Sequence, residues 1–170
     1  IHNKLYPVKK QTDIEFLKFV RNIISKCQYE FYTDNEYLRQ ILEDGVYTSN
    51  NNNPENLRNA VNDHNINKII TYLAMGTYPD TFISGVTNLM IVSQSGDTDL
   101  VKMFANNYCD PNKVNNDGEN SFWIAANKEY YDVATLLQKS YGAKINILSN
   151  SGQTLLHISY EQGRTKLFNY

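Results

Sequence analysis

Apolar residues along this chain fall into blocks that recur at a nearly fixed interval. Leu89 and Met90 are followed by Leu100, Val101, Met103 and Phe104, and Phe122, Ala125 and Ala126 by Val133, Leu136 and Leu137. A glycine opens each block, and Gly85, Gly118 and Gly152 lie 33 and then 34 residues apart. The phrase Gly85-Val-Thr-Asn-Leu-Met-Ile-Val-Ser returns as Gly118-Glu-Asn-Ser-Phe-Trp-Ile-Ala-Ala and as Gly152-Gln-Thr-Leu-Leu-His-Ile-Ser-Tyr. A period of this length predicts stacked repeats, because one such unit cannot bury its apolar side alone. Each unit is expected to hold two short antiparallel helices and a tight turn. Leu89, Phe122 and Leu156 on the first helices should face Leu100, Val101 and Phe104, or their equivalents, on the second. Ala125 and Ala126 let neighbouring helices approach closely, and the leading glycines suit a turn with positive φ.

Upstream the same pattern continues more faintly. Leu57, Ala60, Ile69, Ile70, Leu73 and Gly76 suit a divergent repeat, with Asn53-Pro54 at its helix start, where proline fits the first position. Leu38, Ile41, Leu42 and Gly45 suggest the second helix of a decayed repeat over 36–45. Thr12-x-x-Glu15 and Thr33-x-x-Glu36 have the form of capping boxes. Ile14, Leu17, Val20, Ile24 and Cys27 share one helical face, so 12–31 reads as a capping helix on the N-terminal end. The expected organisation is a cap with a decayed repeat over 1–50 and repeats over 51–170, the last one cut inside its second helix. Asn50 to Asn53 form a polar run at the boundary, where an independent 1–56 adaptor is the other reading.

Composition narrows the partners. The net charge is −2 and the basic residues are scattered, so tight binding to nucleic acid or an anionic membrane is not expected. No apolar run reaches a membrane span of about 18 residues, and no signal-peptide pattern is visible. The chain opens at Ile1, not methionine, which suits a piece of a longer protein. Cys27, on an apolar helical face, and Cys109, at a small-residue position, read as buried free thiols of a reducing, intracellular compartment. Two distant cysteines and three dispersed histidines lack zinc-type spacing, and Asp110-Pro-Asn112 to Gly118 lacks the closing glutamate of a calcium loop. No phosphate loop or nucleophile elbow occurs. Neither a cofactor nor a catalytic residue is expected.

The recurring phrases resemble the ankyrin repeat, Gly-x-Thr-Pro-Leu-His-x-Ala-Ala, then Gly, a Val-Val-x-Leu-Leu helix, and Gly-Ala-Asp-x-Asn. Thr87, Leu89, Gly96 and Cys109-Asp110-Pro111-Asn112 match in one unit. Phe122, Ala125, Ala126, Val133, Leu136, Leu137, Gly142, Ala143 and Asn146 match in the next, and Thr154, Leu156, His157 and Gly163 in the last. Asn88 and Ser121 replace the family's proline, Met90 and Trp123 its histidine, and Glu129 its inter-helix glycine. The clear resemblance covers about 80–170.

The resemblance implies an all-α ankyrin-type helical solenoid of four to five helix-turn-helix units. It also implies a non-enzymatic module that binds another protein; composition sets aside nucleic acid and membrane insertion, and the fragment is expected to be monomeric. The binding surface would be the hairpin tips and the inner faces of the first helices. Those positions are Ile83, Ser84 and Val86, then Asn116, Asp117 and Glu119, then Asn150, Ser151 and Gln153. Gln94, Ser95, Asn127, Lys128, Glu161 and Gln162 would line the adjoining groove. Trp123 joins this set as an aromatic anchor, with filling of the seam between two repeats as its other reading. His157, four residues before Glu161, invites a proton-shuttling pair, but it stands where the family uses histidine structurally. His64 is expected to face solvent in a turn. The alternatives to a free-standing module are the targeting arm of a larger enzyme or pathogen effector, acting in the cytoplasm or host cytosol, and packing against the rest of its own protein.

Overall fold

The computed structural model describes residues 53–74 and 77–164. The readings made for 12–31, 36–45, Cys27 and Gly76, and the second helix expected after Gly163, lie outside them. The described residues hold seven helices. They are α1 (Pro54–Asn62), α2 (Ile66–Ala74), α3 (Asn88–Ser93), α4 (Thr98–Asn106), α5 (Ser121–Asn127), α6 (Tyr131–Tyr141) and α7 (Leu155–Glu161). They pair as α1 with α2, α3 with α4 and α5 with α6, and α1, α3, α5 and α7 stack as a row of first helices. This is a helical solenoid.

Local chemistry sets each start. Asn53 caps α1 by accepting from the Glu55 amide, with Pro54 in the first turn. The Thr87 and Thr154 hydroxyls accept from the N3 amides of α3 and α7, and the Asn120 side chain does the same for α5. Each supplies an acceptor to a helix amide that has no partner inside the helix.

The turn that follows each first helix needs a left-handed residue at one fixed position. His64 (φ 51°), Gly96 (φ 76°), Glu129 (φ 65°) and Gly163 (φ 67°) occupy it in successive units. Gly96 is there for a second reason, since a Cβ on it would sit 2.7 Å from the Tyr130 ring.

One apolar core runs through the stack. It includes Leu57, Ile69, Ile70, Leu89, Leu100, Phe104, Phe122, Trp123, Val133 and Leu137. Two expectations change. Leu136 is only half-buried and Leu137 is the core residue of α6, because the stack meets the side of α6 that carries Val133 and Leu137. Leu156 is 48% exposed, with Leu155 buried instead. No described second helix packs over it.

Polar bonds tie one unit to the next. Asp80 Oδ2 accepts from the Asp110 amide at 3.2 Å, and Asn112 Oδ1, in the equivalent place one unit on, accepts from the Lys144 amide at 2.7 Å. The buried Arg58 reaches from α1 across to Asn88 Oδ1 (2.7 Å), Val86 O (2.7 Å) and Ile83 O (3.3 Å). Burial lowers its pKa from the ordinary arginine value, yet the guanidinium starts so far above neutrality that it stays charged.

Candidate partner-binding surface

The hairpins between units are short, and their geometry follows from the backbone. Ile83 and Val86 exchange both N–H···O bonds, at 3.1 and 3.3 Å. Ser84 (φ 54°) and Gly85 (φ 80°) turn the chain between them. Two consecutive left-handed residues give the turn that matches the twist of a hairpin. The next two hairpins have one residue more. Asn115 N donates to Glu119 O and Ser149 N to Gln153 O, each at 2.9 Å.

The tips lie shoulder to shoulder. Asn150 N donates to Asp117 O at 2.8 Å, and Asn150 Nδ2 donates to Asn116 O. A Cβ on Gly118 would stand 3.0 Å from Asn150 N and 3.1 Å from Leu148 O, so a side chain there would have to push the neighbouring arm back by a few tenths of an ångström. The Asn116 side chain crowds Gly85 in the same manner.

The residues expected to bind fall into two rows in register. Ser84, Asn116, Asp117, Asn150 and Ser151 are exposed along the tips. Gln94 and Ser95, then Asn127 and Lys128, then Glu161 and Gln162 follow the ends of α3, α5 and α7 at the repeat spacing. Gln153 Nε2 donates to Glu161 Oε1 at 3.2 Å, which puts the hairpin base and the far end of α7 on one face.

Some of these groups already have partners. Ile83 O and Val86 O receive Arg58, Glu119 Oε2 receives Asn115 Nδ2, and both Asn127 oxygens receive Arg164. These residues shape the surface more than they offer free groups.

Trp123 is a correction. It is 0% exposed, packed between the units, and its Nε1 has no hydrogen-bond partner. Large apolar area draws the ring into the core, so no partner touches it, and it fills the seam.

The candidate chemistry resolves into structure. His157 Nδ1 accepts from the Thr154 amide at 3.1 Å and lies 2.7 Å from Thr154 Oγ1, while Glu161 bonds Gln153. The histidine–carboxylate pair is therefore not formed. His64 is exposed, with Nε2 3.6 Å from Asp97 Oδ2 in the next unit's turn. The Cys109 thiol is buried and free. Burial first, then the Asp80 charge, push its pKa well above the ordinary thiol range, the opposite of what a nucleophile needs.

Two features escaped the sequence reading. Asp80 pairs with Lys113, which bonds both Asp80 Oδ2 (2.8 Å) and Asp80 O (2.6 Å). Burial opposes the Lys113 charge, but the bond and charge of Asp80 prevail and hold its pKa above the ordinary value. The 32-residue step from Asp80 to Asn112 was the available signal. Phe82, Val114 and Leu148 are large, apolar and exposed, and each directly precedes the first bonded residue of its hairpin.

Among the described residues no helix is long and apolar enough to cross a membrane. No curated protein matches the chain. The family described as "Ankyrin repeats (3 copies)" matches over residues 45–149 and 89–170. With that match spanning most of the sequence, and three helix pairs stacked at its period, this chain belongs to the ankyrin-repeat family.

Proposed function

We propose that this chain is a recruitment module that holds a partner protein against its hairpin tips and the inner face of α3, α5 and α7. Ankyrin repeats are generally non-catalytic protein–protein interaction modules, and this reading gives that role a location. The observation that carries it is the register of the two exposed polar rows. Side chains on a rigid backbone at repeat spacing meet a partner without first being ordered, which lowers the cost of binding. The exposed acids Asp117 and Glu161 and the exposed Lys128 supply charge for orientation and on-rate.

Site-specific photo-crosslinkers at Asp117, Lys128 and Lys139 test the location. Lys139 is exposed on the second-helix side of the stack. A partner captured from Asp117 and Lys128 but not from Lys139 supports the reading. Capture from Lys139 alone moves the site to the opposite side and sinks it.

A further inference from the structure

Asp-Gly occurs twice in the sequence, at Asp44-Gly45 and Asp117-Gly118, and the second pair lies among the described residues. Asp117 is exposed on a hairpin tip, a surface loop where the backbone rearranges more freely than in a helix. Most described aspartates have their carboxylates engaged. Asp80 holds Lys113 and the Asp110 amide, and Asp97 caps α4. Asp99 Oδ1 accepts from Lys102 at 3.1 Å, and Asp110 Oδ1 from the Asn112 amide at 2.8 Å. Among the described residues Asp63, Asp117 and Asp132 carry no such bond. His64 and Val133 follow two of them, and their side chains screen the next amide nitrogen. Gly118 has no Cβ to do so. The nearby amide side chains are restrained instead. Asn150 Nδ2 is engaged on Asn116 O, and the Asn116 side chain lies against Gly85. A free carboxyl and an unscreened nitrogen thus meet at one place on the described tips.

We propose that Asp117-Gly118 is a site of spontaneous isomerisation to isoaspartate, a covalent change that reshapes the tip with the age of the chain. The Gly118 nitrogen attacks Cγ of the protonated Asp117 carboxyl. Its proton leaves with the hydroxyl as water, and a five-membered imide closes. Water then adds at either imide carbonyl. Cleavage at Cγ restores aspartate, and cleavage at the former main-chain carbonyl leaves isoaspartate. No oxidant or co-reactant is consumed, and the product has the mass of the parent. Gly118 N donates to Asn115 O at 3.1 Å, and this bond must open first, which sets the pace in the folded chain.

The product backbone passes through Cβ and Cγ of Asp117, so the hairpin closed by Asn115 N and Glu119 O gains one backbone atom. The negative charge moves from the exposed side chain to the main-chain carboxyl group, whose oxygen accepts from Asn150 N at 2.8 Å. Asn150 N and Leu148 O stand close behind Gly118, so the longer path pushes against the neighbouring arm. The new carboxylate is also the group that S-adenosylmethionine-dependent isoaspartyl methyltransferases methylate, which supplies a probe. None of this rests on the tips binding a partner.

The test incubates the full chain for weeks in neutral buffer at physiological temperature, beside a free peptide of residues 113–122. Peptide mapping with electron-transfer fragmentation separates aspartate from isoaspartate at each position. Isoaspartate at Asp117 should exceed that at every other described aspartate severalfold, and methyl transfer from labelled S-adenosylmethionine should rise in step. Asp117→Glu should abolish the signal at this position, because a six-membered imide closes far more slowly. Asp117→Asn should reach the same imide faster, with loss of ammonia, since an amide carbon is not blocked by ionisation. Amide hydrogen exchange at Asn115 should be severalfold faster in the converted chains, where the hairpin it closes is longer. An Asp117 that stays unconverted in the folded chain overturns the proposal, and a peptide that converts then assigns the protection to the folded tip. Conversion no greater at Asp117 than at Asp63 or Asp132 overturns it too. So does unchanged exchange at Asn115 in the converted chains, which would leave the tip unaltered.

Discussion

Helices α5 and α7 are equivalent elements in adjoining units, and they fare differently. By sequence α7 is the better repeat, with Thr154, Leu156 and His157 all matching the family, whereas α5 has Ser121 and Trp123 as departures. Yet Phe122 is 2% exposed and its counterpart Leu156 is 48% exposed, and Trp123 is buried where His157 is open. The difference comes from neighbours. α5 packs on α3, α6 and α7, while α7 packs principally on α5 among the described helices. In a solenoid a residue's contribution is set by the units on either side of it, and agreement with a consensus does not change that.

The sharpest way to break this comparison is to delete both side chains. Phe122→Ala should cost about 3–5 kcal/mol, the range for emptying a buried aromatic site. Leu156→Ala should cost under about 1 kcal/mol, because much of its area is already in water. Urea midpoints of the two variants would show it. Similar losses would mean that position in the repeat, and not packing, sets the energy.

The two arginines that cross between units repeat the contrast with polar groups. Arg58 is buried and serves Asn88 Oδ1, Val86 O and Ile83 O. Arg164 bonds Asn127 and lies 3.5 Å from Glu129, whose side chain is 56% exposed. Arg58→Ala should cost about 2–4 kcal/mol, since buried acceptors lose their donors with no water to replace them. Arg164→Ala should cost about 0.5 kcal/mol, as exposed pairs do. Thermal unfolding of each variant separates these values.

How far the sequence carried follows from what each residue needs. The period, the turn glycines, Asn53-Pro54 and the core positions Leu57, Leu89, Phe122 and Val133 were all legible, because they obey local rules of capping, left-handed turns and periodic burial. Glu129 was legible as a misfit, and its φ of 65° shows that the backbone imposes the conformation whatever residue stands there. Trp123 was ambiguous because one aromatic ring suits a seam or a surface equally, and only the neighbouring units decide. The bracing by Asp80, Asn88, Asn112, Asn120 and Asn150 was not legible. Their abundance reads as polar loop composition, whereas their amide and carboxyl oxygens and nitrogens join residues about 30 apart or cap helices. The exposure of Phe82, Val114 and Leu148 at one register was missed for a related reason, since the three differ in type and share only their place before the hairpin.

Alkaline pH should sharpen the difference between the interior of the stack and its surface. The Cys109 pKa is raised by burial and by Asp80, so the folded state keeps a proton that the unfolded thiol gives up above about 8.5. The unfolded state then binds fewer protons, and stability falls as pH rises, by up to about 1.4 kcal/mol per unit. This contribution is fully present below the unfolded pKa. Lys113, also raised through Asp80, acts in the same direction above about 10.4. Urea midpoints between pH 8 and 10 should therefore drop less steeply in Cys109→Ala than in the parent. An identical slope would show that the thiol ionises freely in the folded state.

The smallest expected effects lie in the inter-helix turns, where Gly96 and Glu129 adopt the same left-handed backbone with different side chains. Gly96→Ala adds a Cβ at φ 76° and drives it to 2.7 Å from the Tyr130 ring, which is 40% exposed and has room to move. Backbone strain of about 1–2 kcal/mol is then the main cost. Glu129→Gly relieves strain of the same kind but gives up the long contact with Arg164, worth about 0–1 kcal/mol when exposed. It also enlarges the conformational freedom of the unfolded chain, which offsets part of the relief. Gly96→Ala should therefore lower the unfolding free energy by about 1–2 kcal/mol, and Glu129→Gly should change it by less than about 0.5 kcal/mol. A gain from Glu129→Gly as large as the loss from Gly96→Ala would mean that the Arg164 contact holds nothing. Arg164 would then act at the α5–α7 junction through its bonds to Asn127, which do not depend on Glu129.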